Sequence, residues 1–295
     1  MLYERDVSQT QPQTWTTLAV LDWTAKRFAE AGVASARLEA QLLLAHVLGC
    51  TRVQLYTGFD KPLQETELAR YRALIKRRLA GEPLAYLVAE QEFWGLPFRV
   101  DEHVLIPRPD TETVIEVARG TRTDRAAPCR VLDLCTGSGA IAIALARELP
   151  AAQIIATDVS PEAVALAREN AARNGVADRV DVRVGDLWAP VAGERFDLVT
   201  ANPPYIATDV IASLSPEVRR EPRLALDGGP DGLRVLSAIC TAAREHLTPG
   251  GALVVEHGFD QADAVRARFE AAGMRDITLV YDLGKNPRVT WGIAP

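Results

Sequence analysis

Residues 131–140 read VLDLCTGSGA, an apolar run that ends in a glycine-rich loop and leads into a second apolar stretch. Val131 to Leu134 reads as a buried strand, and the loop from Asp133 through Leu134, Cys135, Thr136, Gly137, Ser138 and Gly139 closes it and opens a helix at Ala140. Glycines at this place let the backbone approach a ligand and offer it the amides of a helix N-terminus. In a doubly wound sheet such a loop sits at the strand ends where nucleoside cofactors bind, and alone it does not say which one. Its spacing departs from the GxGxxG dinucleotide fingerprint.

Downstream the chain alternates short apolar runs with helical stretches, the pattern of an open α/β sheet. Gln153–Thr157, Val180–Val184, Phe196–Thr200 and Ala252–Glu256 are the further strands expected. Ile277–Tyr281 and Val289–Ile293 form a closing pair through Gly284 to Pro287. A turn that short makes the pair antiparallel, since a parallel crossover needs about a dozen residues. Seven strands with that ending resemble the class I methyltransferase fold.

Acidic residues mark the strand ends. Asp158 ends the second strand ahead of Ser160 and Pro161, which cap and start a helix, and its carboxylate suits both hydroxyls of a ribose. Asp186, after the third strand, is placed for an adenine amino group, with Leu187 and Trp188 to pack on the ring. With Asp133 they make three acids at three consecutive strand ends, which points to a nucleoside site. No phosphate-binding lysine follows the glycine loop, so a neutral ribose suits better than a triphosphate. S-adenosyl-L-methionine combines such a ribose with a reactive sulfonium.

Asn202, Pro203, Pro204 and Tyr205, NPPY, follow the strand of residues 196–201. The Asn202 carboxamide oxygen and the carbonyl of Pro203 can both accept from one NH2 group, and two stiff prolines keep those acceptors converging. Tyr205 is expected to stack on the flat group so held. Amide-like nitrogens are poor nucleophiles, so fixing both hydrogens beneath an electrophilic methyl is most of the catalysis available. The bland alternative is a turn closing a strand. His46, His103, His246 and His257 need no catalytic role; packing or surface positions suffice.

Ahead of this half, Trp15–Ala31 ends at Gly32, Leu38, Leu42, Ala45 and Leu48 are stopped by Gly49, and Leu68, Tyr71, Ile75 and Leu79 by Gly81. Those spacings describe a small helical bundle with one apolar face per helix. It carries no glycine loop or carboxylate cluster, which suits partner recognition. Phe93 to Leu105 suits a hairpin between domains. In Ile106–Glu112, IPRPDTE, two prolines one residue apart demand a rigid loop, either a linker or a pocket wall, with Asp110 or Thr111 to cap the next helix. The domains expected are thus 1–86 for substrate recognition, 87–105 as a hairpin linker and 106–295 for catalysis.

Composition narrows the function classes. At 295 residues, 48% apolar and 24% charged, the chain suits a globular protein of two domains. Cys50, Cys129, Cys135 and Cys240 have no paired spacing, which argues for a reducing cytoplasm and against a zinc site. No apolar run approaches the ~20 residues that span a bilayer, and no export signal is read at the N-terminus. Net charge is −6; residues 1–92 hold 11 Lys and Arg against 11 Asp and Glu, so the deficit lies in the catalytic half. An acidic catalytic half weakens the case for stable nucleic-acid binding. Arg70, Arg72, Lys76, Arg77 and Arg78 read as a solvated helix face rather than an RNA contact.

Over nearly its full length the chain resembles the release factor N5-glutamine methyltransferase family, the HemK or PrmC type. GEPLAY at Gly81–Tyr86, EFWGLPF at Glu92–Phe98, IPRPDTE, the glycine loop, NPPY and EPRLALDGGPDGL at Glu221–Leu233 follow in the family's order, as do LTPGG, EHG at Glu256–Gly258 and DLGKNPRVTWG at Asp282–Gly292. The resemblance implies methyl transfer from S-adenosyl-L-methionine to the glutamine of the GGQ motif in peptide chain release factors. Asn202 and Pro203 would grip the amide and Tyr205 pack on it. Cofactor contacts would fall on Cys135, Thr136, Gly137, Ser138, Gly139, Asp158, Asp186 or Leu187, and Asn202. Two positions depart from the family's pattern: Cys135 and Ala89 stand where glycine is usual, and a cysteine in the loop also resembles enzymes that modify ribosomal protein L3. IPRPDTE, GLPF and VTWG favour the release factor branch. Rival readings are an amino methyltransferase of DNA adenine or of ribosomal RNA guanine, and a cofactor-binding adaptor without activity. The balanced bundle argues against the nucleic-acid enzymes, and intact Asp158 and Asn202 against the adaptor.

Overall fold

The computed structural model describes residues 15–295 and divides into two compact units between Val88 and Ala89. Positions 1–14 of the expected recognition domain lie outside the described residues. The first unit is helical: α1 (Thr17–Glu30), α2 (Ala36–Leu48), α3 (Arg52–Thr57), α4 (Glu65–Leu79) and α5 (Leu84–Val88). Gly49 ends α2 in the left-handed region at φ 62°, the conformation that lets a helix stop without a Cβ penalty. Leu21, Phe28, Leu43, Leu44 and Tyr71 fill the core, and the Tyr71 hydroxyl donates to the Ala40 carbonyl at 2.9 Å.

Two details differ from the periodicity. In α2 the buried side is Ala40, Leu43, Leu44 and Val47, while Leu38 faces out. Three successive leucines leave the phase of that helix ambiguous in sequence, and packing against α1 decides it. In α4 it is Arg78, paired with Glu39, that is buried, and Leu79 that is exposed. Arg72 and Arg77 likewise pair with Glu65 and Glu82, so three of the five basic residues of this segment are held by acids.

The second unit opens with a hairpin, β1 (Glu90–Phe93) and β2 (Leu96–Arg99), turned by Trp94 and Gly95, both at positive φ. Asn170 holds it in place by accepting from the Arg99 amide and donating to the Arg99 and Ser138 carbonyls. The sheet comprises β3 (Cys129–Leu134), β4 (Ala152–Asp158), β5 (Val180–Val184), β6 (Phe196–Ala201), β7 (Leu247–Glu256), β8 (Arg275–Tyr281) and β9 (Pro287–Ile293). Its order is β5-β4-β3-β6-β7-β9-β8, parallel up to β7, with β9 antiparallel to both neighbours. Strand positions and the antiparallel ending agree with the sequence expectation.

Six helices accompany the sheet: α6 (Glu112–Gly120), α7 (Ala140–Glu148), α8 (Pro161–Arg173), α9 (Arg223–Leu226), α10 (Arg234–His246) and α11 (Ala262–Ala271). Ser160 caps α8 as expected, accepting from the Ala163 amide, with Pro161 at the first position. Because β4 and β6 lie on opposite sides of β3, the order in which strands are added reverses at β3, and the crevice beyond the carboxyl ends of these strands is where such sheets bind ligands. No helix among the described residues is long and apolar enough to cross a membrane.

Candidate active site

A cavity of about 640 Å³ occupies that crevice. Cys135, Thr136, Gly137, Ser138, Asp158, Asp186, Leu187, Asn202 and Pro204 line it from the strand ends, and Pro107, Arg108 and Thr111 from the IPRPDTE loop, which is therefore a pocket wall. Gly139, expected among the cofactor contacts, is not in the lining. At φ 82° it starts α7, and a Cβ there would meet Ile143 at 3.0 Å and Ala167 at 3.2 Å, so its small size serves helix packing. Trp188 also departs from expectation: it turns inward and stacks on His246 at 4.6 Å between centroids.

The loop is braced from below. Asp133, fully buried, accepts from Thr136 Oγ1 at 2.6 Å and from Thr200 Oγ1 at 2.8 Å, tying the glycine loop to the strand that delivers NPPY. Burial raises its pKa to about 7 against those hydrogen bonds. Asp158 accepts from the Gly137 amide at 2.8 Å and the Ser160 amide at 3.0 Å, and burial raises its pKa. One lone pair on each oxygen remains for hydroxyl donors. Cys135 adopts φ 58°, the strained region that its replacement of glycine implied. Burial, then the charges of Asp158, Asp133 and Asp186, hold its thiol well above the ordinary pKa.

At the other side of the cavity, Asn202 Nδ2 donates to Thr111 Oγ1 at 3.1 Å, leaving Oδ1 without a hydrogen bond among the described residues. Thr111 stands at the N-cap position of α6 but makes no side-chain capping bond, and Asp110 instead faces Arg288 at 3.4 Å. Pro203 is buried and, with Tyr205, lies outside the cavity lining. The Tyr205 ring packs against the core of the sheet, and its hydroxyl donates to Glu256 Oε1 at 3.2 Å. Its carbonyl accepts from Gln261 Nε2 at 2.9 Å. Asn202 and Pro204 thus reach the cavity wall, whereas Tyr205 braces them from behind.

The EPRLALDGGPDGL segment holds this arrangement. Ile206 and Asp227 form a parallel bridge, and the Glu221 carboxylate accepts from the Ile106 amide at 3.0 Å and pairs with Arg108, fastening the IPRPDTE loop. The sequence offered Thr111 only as a helix cap and gave Glu221 and Glu256 no part in the site. Each sits in a motif quoted above, but only the fold brings Thr111 to Asn202, Glu256 to Tyr205 and Glu221 to the IPRPDTE loop.

A seven-stranded sheet with a nucleoside-sized crevice, two carboxylates at its strand ends and no lysine in its glycine loop defines a class I S-adenosylmethionine-dependent methyltransferase. Solved structures share this fold: a methyltransferase from Pyrococcus furiosus at TM-score 0.50 and 19% identity, covering 76% of this chain and 98% of that one. The hMettl16 catalytic domain matches at TM-score 0.56 and 16% identity, covering 78% and 82%. Family models match as a PrmC N-terminal domain at residues 19–88 and a methyltransferase small domain at residues 121–215. The release factor glutamine methyltransferase of Geobacter sulfurreducens is 48% identical over 96% of this chain and 98% of its own length; that of Xylella fastidiosa is 44% identical over 88% and 94%. The chain belongs to the release factor glutamine methyltransferase family.

Proposed function

We propose that the chain methylates the side-chain amide nitrogen, N5, of the glutamine in the GGQ motif of peptide chain release factors, in the cytoplasm and without stable nucleic-acid binding. The methyl donor is S-adenosyl-L-methionine, which supplies an electrophilic methyl on a sulfonium. Cys135, Thr136, Gly137, Ser138, Asp158, Asp186 and Leu187 would hold it, since they line the crevice with two carboxylates for its ribose and adenine. Asn202 Oδ1, at the cavity wall, accepts from the glutamine NH2 and aligns the nitrogen lone pair; Pro203, behind the lining, reaches the substrate by its carbonyl alone as the second acceptor and so excludes the flipped amide. The nitrogen takes the methyl in line and sheds its proton afterwards, because alkylation raises its acidity, so no general base is assigned. The helical unit serves release factor recognition.

The observation that carries this reading is the Asn202 carboxamide, tied by its nitrogen to Thr111 and lining the same cavity as Asp158 and Asp186. The test is transfer of labelled methyl to a purified release factor, beside its GGQ glutamine-to-alanine variant, ribosomal protein L3 and duplex DNA. Label in the intact factor alone is expected. Label in L3 or DNA moves the chain to another substrate, and no label despite cofactor binding removes the catalytic reading.

A further inference from the structure

We propose that Asn170 is a positioning residue for cofactor binding: its carboxamide locks the Ser138–Gly139 peptide of the glycine loop and uses the β1–β2 hairpin as its support. The inference rests on the reading of the crevice as the cofactor site given above. Asn170 lies in α8 on the side that carries Ala163 and Ala167, and none of it is exposed. A Cβ on Gly139 would meet the Ala167 methyl at 3.2 Å, so small residues bring α8 against the loop, and Asn170 follows one turn on. A carboxamide is out of place in that apolar seam unless its polar atoms find partners.

Three partners meet it. Oδ1 accepts from the Arg99 amide at 2.7 Å, and Nδ2 donates to the Arg99 carbonyl at 3.0 Å and to the Ser138 carbonyl at 2.9 Å. Toward β2 the carboxamide thus pairs with the backbone as a neighbouring strand would. One amide donor and two carbonyl acceptors also leave it a single orientation. The hairpin has other fastenings on α8: Arg99 pairs with Glu169, Arg173 with Glu90, and Asn174, just past the helix end, donates from Nδ2 to the Pro97 carbonyl at 3.1 Å. Of these four side chains, Asn170 alone is hydrogen-bonded to the glycine loop among the described residues.

The composition of the loop explains why such a hold matters. Gly137 and Gly139 sit at φ 54° and 82°, and glycine lets the adjoining peptide planes turn with little hindrance. Asp158 steadies the loop by accepting from the Gly137 amide, and Thr136 is anchored on Asp133. The Ser138–Gly139 plane is held at both ends: the Gly139 amide donates to the Thr136 carbonyl at 2.9 Å, and the Ser138 carbonyl accepts from Asn170. Ser138 lines the cavity, so the direction of its carbonyl sets what the loop presents to a ligand there. Without Asn170 that carbonyl is a buried acceptor missing its donor, and rotation of the plane is the easiest way to find another. The work of turning the plane back then falls on cofactor binding.

The experiment measures S-adenosyl-L-methionine affinity by calorimetry, with Tm alongside, for the wild type, Asn170→Ala, Asn170→Asp, the double variant Glu169→Ala with Asn174→Ala, and Asp158→Ala. Asn170→Asp keeps an acceptor for the Arg99 amide but gives up both donors. Leaving the Ser138 carbonyl without its donor is expected to raise Kd about tenfold in both Asn170 variants. The double variant loosens the hairpin while Ser138 stays held, and is expected to keep wild-type Kd at a lower Tm. Wild-type Kd in Asn170→Asp, or an equal loss of affinity in the double variant, overturns the inference. If neither Asn170 variant folds, hydrogen exchange in the wild type decides: S-adenosyl-L-methionine is expected to slow the Arg99 amide more than the amides of β8, and equal slowing overturns the inference as well. Asp158→Ala keeps the two readings apart. Unchanged Kd there removes the crevice reading itself, whereas a raised Kd there beside wild-type Kd in Asn170→Asp removes this inference alone.

Discussion

Ala89 and Cys135 hold left-handed backbone angles, φ 55° and 58°, that suit glycine. A non-glycine residue there carries strain of about 1–3 kcal/mol, part of which glycine gives back through its looser unfolded chain. Ala89 is exposed and has no packing to lose. Ala89→Gly is therefore expected to stabilise by up to about 1 kcal/mol, read as a rise in Tm of about 2 °C, and a fall in Tm would contradict the strain. Asn202 belongs to this scale too. Its replacement by alanine removes an acceptor at the reacting nitrogen, and kcat is expected to fall by about 10²–10³-fold. Cofactor affinity measured by calorimetry should stay close to wild type, which separates alignment from binding.

Among elements, the loop from Asp227 to Leu233 is the one on which NPPY leans. A Cβ on Gly232 would collide with the Tyr205 carbonyl and lie 2.6 Å from Gln261 Nε2, and one on Gly228 would lie 2.6 Å from the Gly232 carbonyl oxygen. Only a chain bare of side chains at both places lets this loop pair with Ile206 and seat the Tyr205 carbonyl on Gln261. Gly232→Ala is expected to destabilise by about 1–3 kcal/mol and to lower kcat/KM for release factor more than cofactor affinity. Equal loss of both would show that the loop shapes the whole crevice rather than the NPPY side of it.

For the whole molecule, the buried acids set how stability responds to pH. Burial raises Asp133 from 3.8 to about 7, so across that interval the folded chain binds more protons than the unfolded one. Its contribution is full below the unfolded value and is lost as pH rises through about 7. The Tm of Asp133→Asn, relative to wild type, is expected to improve between pH 5 and pH 8; a constant difference would mean that Asp133 is ionised throughout. The two compact units carry a further expectation. Removing residues 1–88 should leave cofactor affinity in place, because every residue lining the crevice lies beyond Val88, and should raise KM for intact release factor. Unchanged KM would remove the helical unit from recognition.

Strand order, the closing antiparallel pair and the acids at strand ends were legible because period, length and turn chemistry act over a few neighbouring residues. Asp158, Asp186 and Asn202 announced themselves in the same way, each at the end of an apolar run. Gly139, Trp188 and Tyr205 were placed on the ligand side by that local logic, whereas packing turned them toward helix, histidine and carboxylate. The helical face of α2 was ambiguous for a like reason, since consecutive leucines satisfy more than one phase. Thr111 and Asn202 stand 91 positions apart and meet only because the IPRPDTE loop folds over the strand ends. Local chemistry determined which residues form the sheet and its cofactor edge. Long-range burial decided which of them face the cavity, because desolvating a polar group demands a partner that the sequence near it does not contain.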